Sequence, residues 1–217
     1  MNFISALGMI GTMISLVRAV PQLLRLLRSE KASGVSVDTA ATSSIVSFGW
    51  AAYGLLTGQL FVCLATGSSG LVFAGITVIA LRLGRRAREV RIAPVWLGVL
   101  VLAWALAGKN GIGALLPLSV LAANLPQLWI AHREADLADL SLGTWFLSAC
   151  DGIVWGTYAF LRHDISILAY GVFQVTTSGL IVILKRAHSR KTARLRLGNG
   201  IPFGTSTSYK ENTDENA

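Results

Sequence analysis

Pro21-Gln22-Leu23 recurs as Pro126-Gln127-Leu128, 105 residues later, and the pair Trp50 and Tyr53 recurs at the same offset as Trp155 and Tyr158. Between them Ser36 matches Ser141, Thr39 matches Thr144 and Ser43 matches Ser148. Beyond a short hairpin the best offset falls to 104, with Leu64-Ala65 matching Leu168-Ala169, Gly67 matching Gly171 and Arg82 matching Arg186. The chain is therefore two copies of one unit, and the first copy has a hairpin one residue longer. A repeat of this length dominates the reading of the fold.

Each unit is long enough for three membrane spans. The chain is 53% hydrophobic and 14% charged, whereas soluble domains carry about 25% charged residues. About 20 apolar residues cross the hydrocarbon of a bilayer. Seven such stretches are readable, at residues 3–24, 39–58, 60–81, 92–108, 110–131, 140–161 and 165–184. The fourth stands between the two units. Three helices followed directly by three more would invert the second copy. One intervening helix restores the orientation, so the two copies are parallel repeats. The expected fold is an all-α membrane protein: two parallel three-helix-bundle repeats joined by one linker helix. The divisions fall at residues 1–86, 87–109, 110–186 and 187–217, the last a cytoplasmic tail expected to be disordered.

Charge gives the orientation. The segments after spans one, three, five and seven hold 16 Lys and Arg, against 2 in the segments after spans two, four and six. Lys and Arg collect on the cytoplasmic side. A multi-pass protein of the cell membrane follows, with its N-terminus outside and its C-terminus in the cytoplasm. The same distribution accounts for the formal net charge of +8 without a nucleic-acid partner. Met1-Asn2-Phe3 supplies no basic region before the first apolar run, so that span reads as retained. The expected partners are the lipid bilayer and a small-molecule substrate, with oligomerisation left open. Cys63 and Cys150 lie in apolar spans and read as small buried hydrophobes. No metal-ligand spacing, phosphate loop or hydrolytic triad is present, so neither a cofactor nor an enzyme activity is expected.

The motif segments resemble a known class. Val20-Pro21-Gln22 through Gly34-Val35-Ser36, then Gly49-Trp50-Ala51-Ala52-Tyr53-Gly54, is similar to a PQ-loop repeat. The second copy, with Leu125-Pro126-Gln127, Trp155-Gly156-Thr157-Tyr158 and Arg162-His163-Asp164-Ile165, is closer to a small bacterial SemiSWEET. The whole resembles the PQ-loop/SWEET class of seven-helix transporters. That resemblance implies solute passage by alternating access, commonly of sugars, and puts Trp50 and Trp155 on the cavity walls with Tyr53 and Tyr158 nearby. Sugar-carrying members have an Asn in the third helix of each repeat, and the aligned positions here are Gly67 and Gly171. Thr66, Ser68, Tyr170 and Gln174 are the polar neighbours available to a solute. The substrate class stays open between a sugar and an amino-acid-like molecule. A receptor that binds a ligand without moving it is the alternative function.

Four further residues suit a gate. Pro21 and Pro126 each remove a helical hydrogen bond and can mark a hinge or a static kink. Gln22 and Gln127 can bond a freed carbonyl or a neighbouring helix. Asp151 stands mid-span, where a carboxylate costs about 2.5–3.5 kcal/mol on insertion scales unless it finds a cavity or a partner. Trp155 is four residues on and shares its helical face. The first repeat has Val46 at the matching place, so Asp151 is an asymmetric addition, suited to proton coupling, to an amine or to a structural pair. Arg18 lies about 9 Å inside span one. It reaches either Asp151 or, by snorkelling, the headgroups.

Overall fold

The computed structural model describes residues 2–29, 32, 35–133 and 142–198, and these form seven α-helices and no strand. They are α1 (Phe3–Ser29), α2 (Val37–Leu56), α3 (Leu60–Arg82), α4 (Ile92–Leu115), α5 (Leu118–Arg133), α6 (Leu142–Arg162) and α7 (Ile165–Gly198). α1, α3, α4 and α7 carry stretches long and apolar enough to cross a membrane. α2 and α6 are diluted by Ser, Thr and Asp, because these helices turn polar faces inward, and α5 is only 16 residues long. The chain is a seven-helix membrane protein of the expected 3+1+3 plan.

Within each repeat the third helix lies in the middle: α3 packs between α1 and α2, and α7 between α5 and α6. Small residues permit this close approach, as membrane helices require. A Cβ on Gly171 would fall 2.7 Å from the Cα of Gly156, and one on Gly70 would fall 3.0 Å from the Phe48 ring. Gly67 faces Ala51 at a looser 3.7 Å, and Gly179 has nothing within 4 Å. Both hairpins turn on a left-handed residue followed by the residue that immediately precedes the next helix. Gly58 (φ 68°) precedes Gln59 in the first, and His163 (φ 54°) precedes Asp164 in the second. Three residues separate α2 from α3 and two separate α6 from α7, the difference the sequence offsets require.

The linker helix α4 leans on the first bundle. It packs on α2, and Asp38 in the first turn of α2 accepts from the N–H groups of Arg91, Ile92 and Ala93 at 2.9–3.1 Å. One carboxylate thereby caps the orphan donors of another helix. Gly108 (φ 57°, ψ −138°) breaks the helix, at the boundary expected between spans four and five. Residues 109–115 then turn back toward α5, with a second bend at Pro117. α7 stays helical to Gly198, farther into the tail than expected. Residues 199–217, expected to be disordered, lie outside the described residues.

The two bundles meet unequally. α1 packs against α6, but among the described residues their repeat counterparts, α5 and α2, scarcely touch.

Candidate functional site

A cavity of about 870 Å³ lies between the bundles, within the size range of small-molecule sites. Its mouth is at the end of the molecule that carries the basic loops, where the exposed and repeat-related Thr39 and Thr144 line it. Ser36 caps α2 there, accepting from the Thr39 N–H at 3.3 Å. The walls carry hydroxyls (Ser15, Thr42, Ser43, Ser47, Thr66, Ser69, Ser119) over an apolar floor of Val62 and Ile167. Two buried amides face in from the second bundle. Asn124 donates to Thr177 at 2.8 Å and to Gln174 at 3.4 Å.

The other end is shut at the hairpins. The Tyr53 hydroxyl donates to Asp164 at 2.9 and 3.1 Å, and the Gln59 amide donates to the same carboxylate at 2.5 Å. Asp164 also accepts from the Ile167 N–H at 3.0 Å, which caps α7. Gln59 and Asp164 occupy matching places in the two hairpins, so the closure is a contact across the pseudo-twofold axis. Gly113 fills the remaining gap, because a Cβ there would meet Tyr53 and Ser166.

Trp50 and Trp155 both line the cavity and are 6% and 5% exposed. Each is edge-on to the tyrosine three residues on, with centroids 5.7 Å apart to Tyr53 and 5.4 Å to Tyr158. Trp50 also meets Tyr170 of the other bundle at 5.6 Å and 75°. Tyr170 in turn donates to Asp151 Oδ2 at 2.6 Å. Arg18 Nη1 donates to the same oxygen at 2.9 Å. Arg18 thus pairs with Asp151, and the pair bridges α1 of one bundle and α6 of the other. Such a pair needs good geometry and further hydrogen bonds to offset desolvation, and Tyr170 supplies one of these.

Several expected positions differ. Asp151 is 1% exposed and stands behind Arg18 and Tyr170 rather than on the cavity wall. Ser68 bonds back to the Leu64 carbonyl at 2.7 Å and does not line the cavity; its neighbour Ser69 does. One residue is about 100° around a helix, enough to exchange the two. The same step separates Gly67 and Gly171, which lie on helix contacts, from Thr66 and Tyr170, which face the cavity. Tyr53 belongs to the closed end, and Tyr158 packs behind Trp155. Pro21 lines the cavity within an uninterrupted α1, and Gln22 beside it is exposed. The side chains of Pro126 and Gln127, on α5, lie outside the described residues. Gln59, Asp164 and Asn124 were absent from the expected set. The matching hairpin positions of Gln59 and Asp164 were the available signal for that pair.

The chain is similar in structure to a solved eukaryotic SWEET transporter, with a TM-score of 0.69 over 86% of this chain and 97% of that one, at 14% identity. At that identity the likeness carries the fold alone. No family model and no curated protein matches the chain.

Proposed function

We propose that this chain is a transporter of the PQ-loop/SWEET class that moves a small polar solute across the cell membrane by alternating access between its two three-helix bundles. The observation that carries the reading is a cavity between the bundles, largely apolar but set with hydroxyls and amides, with its mouth at one end and an inter-bundle hydrogen-bond cluster closing the other. The basic loops put the mouth in the cytoplasm and the hairpins outside, so the conformation is inward-facing. Solute entering from the cytoplasm meets Trp50, Trp155, Thr66, Tyr170 and Gln174. The indoles supply flat apolar faces and the hydroxyls and amides supply orientation, the usual division of labour in a small-molecule site. Breaking the Tyr53–Asp164–Gln59 cluster while the mouth narrows around Pro21 and Pro126 converts the protein to its outward-facing form.

The test is uptake of labelled sugars and amino acids into proteoliposomes containing the purified chain. Saturable, protein-dependent uptake of at least one solute is expected. Saturable binding without uptake favours a receptor on the same fold. A reporter fused after Gly58 should read outside and one after Arg88 inside. The reverse pattern overturns the orientation.

A further inference from the structure

The Arg18–Asp151 pair is unequal in a way a purely structural bridge does not require. Asp151 is sealed, at 1% side-chain exposure, while Arg18 keeps 34% of its side chain accessible and lines the cavity. The cation faces the solute and the anion is hidden behind it. Arg18 is the only basic residue among the described residues that line the cavity. Asp38, the one acidic residue among the described lining residues, is committed to the N-terminus of α4. Arg18 is therefore the cation a solute meets at mid-cavity, with its counter-charge on the far side of it. A guanidinium has five N–H donors in a planar fork that matches a carboxylate, and Asp151 takes one of them through Nη1. The second observation is on the anion. Asp151 Oδ1 is buried and makes no hydrogen bond of regular geometry among the described residues, although the Trp155 indole acts on the same carboxylate. The repeat counterparts of Arg18 and Asp151 are Ala123 and Val46, so the opposite seam offers no such group.

Resting on the transport reading, we propose that Arg18 receives a carboxylate on the solute, and that Asp151 takes up one proton as it binds. The charges balance. Before binding, one guanidinium faces one carboxylate. Adding the solute's carboxylate leaves an uncompensated negative charge in a site of low dielectric, which is costly. One proton from the cytoplasmic or external water, bonded to Asp151 Oδ1, restores neutrality. The titratable groups that face Asp151 are Arg18 from α1 and Tyr170 from α7. Arg18 stays charged at any working pH, and Tyr170 continues to donate its O–H. The carboxylate of Asp151 is the group left to accept the proton. The substrate class is then a small organic acid or an amino acid, carried electroneutrally with respect to its carboxylate, rather than a neutral sugar.

Gluconate against glucose and its open-chain alcohol sorbitol is the sharpest comparison, because gluconate and sorbitol share an open six-carbon chain and differ in the carboxylate. Succinate, L-glutamate and sucrose complete the panel. Proteoliposomes containing the full chain and a trapped pH dye are held at zero membrane potential. Carboxylates should enter about tenfold faster than the neutral sugars, the effect of one charge-assisted pairing. The lumen should acidify by one proton for each gluconate. Arg18→Gln should lower gluconate uptake about tenfold or more. Arg18→Lys keeps the ion pair but lacks the fork, so it should lower uptake at an unchanged melting temperature. In Asp151→Asn, whatever gluconate still enters should bring no proton with it. Uptake of glucose but not of the carboxylates overturns this proposal and leaves the transport reading intact. Carboxylate uptake with no luminal acidification, or unchanged in Arg18→Lys, also overturns it. If no probe enters, the transport reading falls and this proposal falls with it.

Discussion

Replacing Tyr53 with Phe removes a single O–H from the cluster that closes the hairpin end. That hydroxyl donates to both oxygens of Asp164, at 2.9 and 3.1 Å, and so joins α2 of one bundle to the α6–α7 hairpin of the other. A hydrogen bond to a charged group nets about 1.5–3 kcal/mol. Asp164 is only half-buried, so the lower figure applies. About 1.4 kcal/mol is a factor of ten in an equilibrium. Tyr53→Phe should therefore raise the ratio of hairpin-open to hairpin-closed molecules about tenfold, with the ring still packed on Gly113. Asp164→Asn should shift it further, since it disturbs the Gln59 contact and the α7 cap as well. The readout is the distance between spin labels at Leu60→Cys and Ile165→Cys, in a background with Cys63→Ser and Cys150→Ser. Those two positions are the first residues of α3 and α7 and are 63% and 83% exposed, so the labels should not perturb packing. A longer-distance population should grow in Tyr53→Phe and grow more in Asp164→Asn. Distance distributions identical to the parent in both variants would refute the idea that this cluster latches the two halves.

Three further outcomes follow from packing and caps. Gly171→Ala places a Cβ 2.7 Å from the Gly156 backbone, which cannot yield as a side chain would. It should lower stability in detergent by about 2 kcal/mol or more, seen as a fall in melting temperature. Asp38→Ala strips the α4 N-terminus of its acceptor, and the loss of a cap costs about 1–2 kcal/mol. Protease nicking near Arg91 should increase in that variant. His163→Gly removes a left-handed conformation from a residue with a Cβ and should raise the melting temperature, by up to about 1 kcal/mol of stability.

The repeat, the seven spans and the break at Gly108 were legible in the sequence, because periodic copies and apolar length are local properties of the chain. Pairing of Arg18 with Asp151 was legible as one of two options, since an unpaired mid-span charge is so costly that few partners qualify. The cavity-facing register was legible only to within one residue. Ser68 and Ser69 are equally polar and differ only in azimuth, and azimuth is set by where α1 and α2 press against α3. The closure at Gln59 and Asp164 was not legible as a contact. It depends on how two separately folded bundles are placed against each other, which no helical period encodes. Asp38 has the same character: its partner lies 53 residues away at the start of another helix.

The unequal seams between the bundles have a consequence for what one chain can do that two cannot. A pair of identical three-helix proteins must repeat every residue, so an Arg and an Asp at one seam would appear at the other as well. Such a dimer works like jaws, with both sides obliged to yield together. Here α1 and α6 hold a charged pair, whereas the opposite seam offers Ala123 and Val46. The two edges are then not obliged to yield together or to the same extent. Joining the copies through α4 freed each half to drift on its own, and two chemically different edges are what a fused duplicate can have and a symmetric pair cannot.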